Sequence, residues 1–347
     1  MKLVAVSDHF VRTEHYEACF AAYPEIELKT IFFGTEDRFE MRDIFHRIER
    51  QGPEAYPIPE ELYAEIEDAD VLMVHICPVP ASLIERGKKL RAILTNRGGL
   101  ENIDVAAATA RNIPILNNPA HNANGVSELA VGLMVTETRN VARAHMGLMQ
   151  GTWRENFCNT GDIWELKGKT VGIVGYGNIG HLVAEKLTVF GCKLLVNDIA
   201  IDPEDESLRR LPIRVVDLPT LMAESDVVTL HARSEELILT GEMLSLLRPH
   251  AFFINTARAH MVDYDALYEL LRDRKIMGAA LEVHPVEPLP EEYPFLKLDN
   301  VTLTTHRGGD TINAYSDSPA MVMEDYDRYL AGKKPRFFVN PQVGFGR

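Results

Sequence analysis

Positive charge is scarce in this sequence, and so are long apolar runs. The chain has 36 lysines and arginines against 51 aspartates and glutamates, which gives a net charge of −15. Nucleic acid and anionic membrane surfaces both require a basic face, so we expect neither as a partner. No apolar run is long enough to span a bilayer, and the N-terminus enters a strand pattern directly, without a signal-peptide layout. We therefore expect a cytoplasmic protein.

Cysteine is also scarce, and its four positions are scattered. They are Cys19, Cys77, Cys158 and Cys192. No C-x-x-C pair and no accompanying histidine spacing is present, so the sequence predicts reduced thiols, with neither a disulfide framework nor a metal site.

Short apolar strands alternate with helical patterns through most of the 347 residues, a length that favours two domains. The first half contains five predicted strands: 3–7, 26–33, 71–76, 91–95 and 114–118. The second contains seven: 170–175, 193–198, 214–216, 227–231, 252–256, 277–283 and 301–305. Alternation of this kind is typical of parallel sheets covered by helices. One long helix is predicted between about residues 120 and 150, and another, from about 313 to 331, is expected to return to the first domain.

Three glycines follow the first strand of the second half at the spacing of a dinucleotide-binding turn. Gly175 allows a tight reversal, Gly177 leaves room for a pyrophosphate, and Gly180 lets the next helix lie close to its strand. The N-H groups at the start of that helix can bind a phosphate. An ordinary strand-to-helix turn is the alternative interpretation.

The next predicted strand ends in Asp198, about twenty residues beyond the glycines. A carboxylate at this distance is expected to accept hydrogen bonds from the adenosine ribose hydroxyls, and its charge would repel a 2′-phosphate. The sequence therefore predicts NAD rather than NADP, unless Asp198 is merely a solvated residue at a strand end.

Titratable residues follow three later strands of the same half: Arg258, Glu287 and His306. Hydride transfer from an alcohol carbon also requires a proton transfer at the alcohol oxygen, and histidine titrates in a suitable range for it. A neighbouring carboxylate would orient the histidine, and an arginine can hold a substrate carboxylate through two parallel bonds. Each residue alone is more often an ordinary polar group, but three strand ends of one sheet together predict a reactive site.

These elements resemble the D-isomer-specific 2-hydroxyacid dehydrogenase family, which includes phosphoglycerate dehydrogenases, glyoxylate/hydroxypyruvate reductases and the CtBP corepressors. The resemblance covers roughly residues 91–341 and rests on Asn255-Thr-Ala-Arg258, Glu287-Pro288 and His306-Arg-Gly-Gly309. It implies that Arg258 binds the substrate carboxylate, that His306 is the acid/base and that Glu287 is its partner. It also implies a homodimer, with the long helix at the interface.

The resemblance further implies an α/β fold of two doubly wound parallel-sheet domains. A Rossmann NAD-binding domain of residues 119–309 is expected to be inserted into a flavodoxin-like substrate-binding domain of residues 1–118 and 310–347. The expected cofactor-binding residues are Gly175, Gly177, Asn178, Ile179, Gly180, Asp198, His231, Thr256, Ala257 and Glu282. Three residues depart from the family pattern: Ala259 replaces glycine, Thr305 replaces proline, and Glu282 replaces an aspartate that contacts the nicotinamide carboxamide.

The expected substrate-binding residues are Arg97, Gly98, Gly99, Leu100, His121 and Arg307. The glycines allow backbone N-H groups to converge on an anion, although a plain loop is equally consistent with the segment. The cationic groups suggest a second anion on the substrate, as in a phosphorylated sugar acid such as 3-phosphoglycerate or a phosphoerythronate, or in a dicarboxylate. Alternatively, Arg97 and Arg307 pair with neighbouring acids such as Glu101 and Asp310.

The leading hypothesis is an NAD-dependent enzyme that transfers a hydride at C2 of a 2-hydroxy or 2-keto acid. A dinucleotide-sensing interaction protein similar to the corepressors is the alternative from another class. A formate or phosphite dehydrogenase, which needs no second anion subsite, is a third interpretation.

Overall fold

The computed structural model describes residues 1–201 and 206–344, and the chain divides into two compact units. Unit 1 comprises Met1–Asn122 and Thr311–Arg347, and unit 2 comprises Ala123–Asp310. Each unit has a sheet of parallel strands with helices between them in the chain. The predicted fold class, two α/β domains with parallel sheets, is confirmed.

Unit 1 contains a five-stranded sheet. Its strands are β1 (Lys2–Ser7), β2 (Glu27–Phe32), β3 (Val71–Val74), β4 (Ala92–Thr95) and β5 (Ile115–Leu116). They are ordered β2-β1-β3-β4-β5 and are all parallel. This is the flavodoxin-like order, in which the direction of winding changes between β1 and β3. Ligands of such sheets bind beyond the carboxyl ends of the strands at that change.

The helices that accompany these strands are α1 (Thr13–Phe20), α2 (Arg38–Gln51), α3 (Glu60–Glu65), α4 (Ala81–Arg86) and α5 (Val105–Ala110). Helix α2 was not predicted from the sequence. Its start is fixed by Asp37, whose carboxylate accepts hydrogen bonds from the N-H groups of Phe39 and Glu40, both at 2.9 Å. Met41, Ile44 and Ile48 form the buried stripe of this otherwise charged helix.

Unit 2 contains a seven-stranded sheet. Its strands are β6 (Thr170–Val174), β7 (Lys193–Asn197), β8 (Ile213–Val215), β9 (Val227–Leu230), β10 (Phe252–Asn255), β11 (Gly278–Leu281) and β12 (Val301–Leu303). The order β8-β7-β6-β9-β10-β11-β12 is the Rossmann order 3-2-1-4-5-6 with one further strand. All seven strands are parallel, so their carboxyl ends share one edge.

The helices of unit 2 are α6 (Ala123–Thr138), α7 (Val141–Met149), α8 (Asn178–Val189), α9 (Glu206–Arg210), α10 (Leu218–Glu224), α11 (Gly241–Leu244) and α12 (Tyr264–Arg272). Asp263 caps the start of α12, since its carboxylate accepts a hydrogen bond from the Ala266 N-H at 3.0 Å. The prediction of one long helix over residues 120–150 was wrong. Asn140 has a left-handed conformation, with φ +57°, and this ends α6 before α7 begins.

The break between α6 and α7 is held by buried polar groups. The Arg143 guanidinium is paired with the Glu137 carboxylate, and both side chains are at most 3% exposed. Arg143 also donates to the Asn140 side-chain oxygen at 3.2 Å, and the Asn140 amide donates to the Asn159 side-chain oxygen at 2.7 Å. The corner is therefore fixed by contacts within unit 2.

The chain returns to unit 1 through α13 (Ile312–Ser316) and α14 (Ser318–Leu330), where one helix was predicted. Apolar side chains of α14 join the core beneath β1, β3 and β4; they are Val322, Met323 and Tyr326. The expected packing of this C-terminal segment on the first domain is confirmed. Across the described ranges, every helix is too short or too polar to cross a membrane.

Candidate active site

The turn after β6 contains three glycines, and the backbone angle of Gly175 and the space around each glycine agree with the predicted roles. Gly175 has φ +93°, and a side chain there would approach the Ala232 nitrogen to 2.3 Å. A Cβ on Gly180 would lie 2.0 Å from the Gly175 carbonyl oxygen, so helix and turn can be this close only without it. A Cβ on Gly177 would meet no atom of the described chain within 4 Å. This open position fits the approach of a pyrophosphate.

Two further features of this turn fit a dinucleotide. Helix α8 begins with Asn178 and Ile179, so the unpaired N-H groups of its first turn lie next to Gly177. Asp198 follows β7, and its carboxylate accepts hydrogen bonds from the N-H groups of Tyr176 at 2.6 Å and Ala200 at 2.7 Å. The chain thereby fixes a carboxylate beside the turn, at the place expected for a ribose contact.

Other predicted cofactor residues lie at the carboxyl ends of β9 and β10. His231 is buried, and its ring nitrogens are within hydrogen-bond distance of the hydroxyls of Thr229, at 2.8 Å, and Thr256, at 3.4 Å. Burial lowers the pKa of His231 to about 3, so its ring is neutral at physiological pH. Thr256 and Ala257 are also buried. These residues provide a rigid, uncharged wall at this edge of the sheet.

His306 and Glu287 form a hydrogen-bonded pair at the same edge. His306 follows β12 and Glu287 follows β11, and the distance from His306 Nδ1 to the nearer Glu287 carboxylate oxygen is 2.8 Å. The other carboxylate oxygen accepts a hydrogen bond from the His284 N-H at 2.9 Å. Both side chains are more than a third exposed, so they are accessible from solvent. A histidine oriented by a fixed carboxylate is suited to general acid/base chemistry.

The carboxylate of this pair is stabilised in its ionised form. Partial burial alone would raise the pKa of Glu287, but the hydrogen bonds from His306 and from the His284 amide outweigh it and hold the pKa below its usual value. Glu287 is therefore ionised throughout the range in which a histidine titrates.

Arg258 follows β10, the strand next to β11, and its side chain is exposed.

The predicted anion loop of unit 1 follows β4 and has unpaired backbone donors. Within the described part of the chain, the N-H groups of Gly98, Gly99 and Leu100 donate no hydrogen bond. The Asn117 side chain fixes the loop from the other side by donating to the Gly98 carbonyl at 2.8 Å. Three consecutive free amides are a suitable surface for a carboxylate or phosphate.

Two cationic residues of the predicted substrate site, Arg97 and Arg307, are already paired with acids. The Arg97 guanidinium, 8% exposed, binds the carboxylates of Glu49 at 2.8 Å and Glu101 at 3.4 Å. Arg307 is paired with Asp310. The alternative interpretation, that both arginines bind neighbouring acids, therefore describes their contacts. One guanidinium nitrogen of Arg97, Nη1, is buried and has no hydrogen-bond partner among the described residues.

His121 does not contribute positive charge at physiological pH, contrary to the expectation of a partly cationic group. Burial of the ring lowers the pKa of His121 to about 4. Its Nδ1 is 2.9 Å from the Asn118 carbonyl oxygen, and only a protonated nitrogen can donate to a carbonyl. The ring is therefore a neutral tautomer whose other nitrogen, Nε2, is an acceptor.

A buried pair that was not predicted from the sequence lies at the point where the winding of the unit 1 sheet changes. Asp8 follows β1, His75 follows β3, and His75 Nδ1 lies 2.9 Å from an Asp8 carboxylate oxygen. The side chains are 1% and 6% exposed. Each directly follows a buried apolar strand, which is a signal that could have identified them.

Among the described residues, no group of three or more His, Cys, Asp or Glu side chains is arranged to hold a metal ion.

Comparison with known proteins agrees with this geometry. Residues 131–308 match the model for "D-isomer specific 2-hydroxyacid dehydrogenase, NAD binding domain". The chain is 40% identical over 261 residues to a hydroxypyruvate reductase of Thermotoga maritima, which covers 74% of this chain and 83% of that protein. The chain belongs to the D-isomer-specific 2-hydroxyacid dehydrogenase family. It is accordingly an NAD-dependent dehydrogenase.

Other relatives of this dehydrogenase carry different names. A glyoxylate reductase of Thermofilum pendens is 34% identical, covering 83% of this chain and 86% of the relative. A D-3-phosphoglycerate dehydrogenase of Methanocaldococcus jannaschii is 36% identical, but the match spans only 56% of that protein. A solved structure, the NAD complex of a D-isomer specific 2-hydroxyacid dehydrogenase from Lactobacillus delbrueckii ssp. bulgaricus, has a similar fold. Its TM-score is 0.76 at 21% identity, over 98% of this chain and 100% of that one.

Proposed function

We propose that this dehydrogenase interconverts a 2-keto acid and the corresponding D-2-hydroxy acid, with His306 as the acid/base. The observation that carries the proposal is the His306–Glu287 pair at the carboxyl edge of the NAD-binding sheet. When bound, NAD supplies the acceptor or donor of the hydride at C2 of the acid. The side chains supply orientation and the proton.

The cofactor is proposed to lie along the carboxyl edge of unit 2. The N-H groups after Gly177 would bind the pyrophosphate, and the Asp198 carboxylate would bind the ribose hydroxyls. The remaining proposed contacts come from residues that follow β9, β10 and β11: His231, Thr256, Ala257 and Glu282.

His306 is proposed to protonate the substrate oxygen during reduction and to accept that proton during oxidation. The ionised Glu287 holds the ring through Nδ1, which leaves Nε2 to face the substrate oxygen. Arg258 is proposed to bind the substrate carboxylate, because a guanidinium can donate two parallel hydrogen bonds to it. The free amides of Gly98, Gly99 and Leu100 are proposed as a second anion-binding element for the substrate.

The charges of the predicted substrate-binding residues favour a small acid without a second anionic group, such as glyoxylate or hydroxypyruvate. The Arg97 guanidinium already has two carboxylate partners, Arg307 has one, and His121 is neutral. A phosphorylated sugar acid such as 3-phosphoglycerate is the second candidate. The buried, unpartnered Nη1 of Arg97 supports it.

A substrate screen tests the proposed function. Glyoxylate, hydroxypyruvate, phosphohydroxypyruvate, formate and phosphite would each be supplied with NADH or NAD while nicotinamide absorbance is followed. We expect turnover of 2-keto acids and none of formate or phosphite. Intact NAD binding without turnover of any acid would contradict the proposal and favour a dinucleotide-sensing interaction protein.

Replacing Glu49 by glutamine is expected to change substrate preference. Loss of this carboxylate removes one of the two acids paired with Arg97, so a phosphate could take its place. We expect kcat/KM for phosphohydroxypyruvate to rise about tenfold, which corresponds to about 1.4 kcal/mol of improved transition-state binding, while that for glyoxylate changes less than about twofold. Steady-state kinetics with phosphohydroxypyruvate and with glyoxylate would measure the two kcat/KM values and their ratio.

Glu40→Gln is the matched control, because Glu40 is an exposed acid on the same helix, α2. It is expected to leave both values unchanged. A Glu49→Gln variant in which the two substrates respond equally would refute a role for Arg97 in selecting the second group.

We also propose that the protein is a homodimer that associates through α7 and the segment following it. Apolar side chains on this surface are between 46% and 78% exposed: Val141, Met146, Leu148, Met149, Trp153 and Ile163. A concentration of exposed apolar groups in a short stretch is typical of a protein interface. The proposed interface thus uses the C-terminal part of the segment that was predicted as one long helix.

Met149→Glu is expected to shift the protein towards monomers. The Met149 side chain is 75% exposed, so the substitution costs the isolated fold little but would place a charge within an apolar interface. Sedimentation velocity at micromolar concentration would measure the change. Val189→Glu, at an 88% exposed apolar position on α8, is the control and should remain dimeric. A wild-type monomer at tens of micromolar, or a dimeric Met149→Glu protein, would contradict the proposal.

A further inference from the structure

Glu282 is a buried residue whose carboxylate accepts hydrogen bonds, within the described part of the chain, only from the loop that carries His306. It lies directly after β11 and is 2% exposed. One of its oxygens, Oε1, accepts hydrogen bonds from the N-H groups of Arg307 and of Gly308, the latter at 2.6 Å. The other, Oε2, accepts one from the Thr304 hydroxyl. Because three donors converge on it, the buried charge is compensated.

The backbone at His306 needs such an anchor. His306 has φ +53°, in the left-handed region that non-glycine residues rarely adopt. A conformation of this kind persists only where surrounding contacts determine it. Glu282 contacts residues on both sides of His306, namely Thr304 before it and Arg307 after it. Its carboxylate therefore bridges the turn that directs the His306 ring.

His284, two residues after Glu282, contacts both the loop of His306 and Glu287, the carboxylate partner of His306. Its ring Nε2 is 2.8 Å from the Thr304 carbonyl oxygen, and its backbone N-H donates to Glu287. The end of β11 thus contacts both the loop of His306 and the carboxylate that orients the ring.

The length of the Glu282 side chain matters for these bonds. The family resemblance places an aspartate at this position, and aspartate is shorter by one methylene, about 1.5 Å. A shorter side chain cannot keep the same bonds to two successive N-H groups and to Thr304 without a shift of the loop. An ionised carboxylate has about four acceptor sites, so three loop donors leave one site for a carboxamide.

We propose that Glu282 is a positioning residue for His306: its carboxylate anchors residues 304–308 and so holds the acid/base ring against Glu287. The role of His306 rests on the proposed function, whereas the anchoring of the loop does not. Glu282 acts on the reaction through this loop, in addition to any contact with the nicotinamide carboxamide.

The experiment compares wild-type protein with Glu282→Asp. Aspartate keeps the charge and is the residue that the family uses towards the cofactor, so it separates the two roles. We expect hydrogen–deuterium exchange of the Arg307 and Gly308 amides in the cofactor-free protein to become at least tenfold faster. The Kd for NAD should change less than about twofold, and kcat at saturating NAD should fall about 10- to 100-fold, the cost of a misplacement near 1 Å.

Glu291→Asp is the matched control, since Glu291 is an exposed acid in the segment after Glu287. It should change none of the three quantities. Unchanged exchange at residues 307 and 308 in Glu282→Asp would overturn the proposal, as would weaker NAD binding with unchanged kcat. If the wild-type protein turns over no acid, the proposed function fails, while the exchange and NAD-binding measurements still decide whether Glu282 anchors the loop.

Discussion

Replacing His306 by asparagine is expected to lower kcat/KM for a 2-keto acid by about 10²- to 10⁴-fold, the usual contribution of a positioned general acid/base. Asparagine cannot donate or accept the reacting proton at physiological pH. It does tolerate the left-handed backbone found at this position, with φ +53°, better than alanine does. The loss should therefore arise from chemistry rather than from misfolding. Steady-state kinetics and NAD titration, followed on the same preparation, would measure the two quantities.

The chain offers a matched control on the opposite edge of the same sheet. His250 precedes β10, its Nε2 is 3.0 Å from an Asp226 carboxylate oxygen, and its side chain is 41% exposed, compared with 42% for His306. His250→Asn removes the same kind of pair and should retain wild-type kinetics. A His306→Asn variant with at least a tenth of wild-type kcat/KM would exclude His306 as the acid/base.

Alanine substitutions at Gly180 and Gly177 are expected to affect different properties. Gly180→Ala should lower the thermal stability, whereas Gly177→Ala should weaken NAD binding. A methyl group on Gly180 would meet a backbone oxygen at 2.0 Å, so helix α8 must move away from the turn. Overpacking of this kind costs about 3 kcal/mol, which lowers the Tm of a unit of this size by about 6–12 °C. At Gly177 the methyl group has free space in the protein alone, and the backbone angles, φ −80° and ψ −154°, suit alanine.

Gly177→Ala should therefore keep the wild-type Tm while raising the Kd for NAD at least tenfold, because the methyl group occupies the space proposed for the pyrophosphate. Differential scanning calorimetry and isothermal titration calorimetry give the two values. Gly132→Ala, in α6, serves as the control, since its added methyl group also meets nothing within 4 Å. If Gly177→Ala binds NAD as tightly as the wild type, the proposed path of the pyrophosphate is wrong.

The fold was largely predictable because its signals are local. All twelve strands were predicted, since most of them are short apolar runs bounded by polar or glycine residues. One of the helices that were not predicted, α2, has the required period in Met41, Ile44 and Ile48, but its many charged residues obscured it. The break at Asn140 was not predicted from hydrophobicity, because apolar residues recur up to Val135 and again from Val141.

The site was less predictable where it depends on residues distant in the sequence. The glycine turn and the strand-end residues follow from position along the chain. The partner of Arg97 does not: Glu101 was anticipated four residues away, whereas the closer carboxylate, Glu49, belongs to the unpredicted α2. Similarly, nothing in the sequence indicated that burial makes His121 neutral. Desolvation depends on packing, which only the folded chain defines.

The corner at Asn140 bears on how two copies of the chain would associate. Arg143, Glu137 and Asn159 hold the corner entirely from within one protomer, so α7 is presented as a preformed surface. Docking of preformed surfaces requires little ordering of the backbone, and the entropic cost of association is correspondingly smaller than for segments that fold upon binding. We therefore expect rigid-body association, in which a separated protomer keeps its helical content and can pair again without refolding.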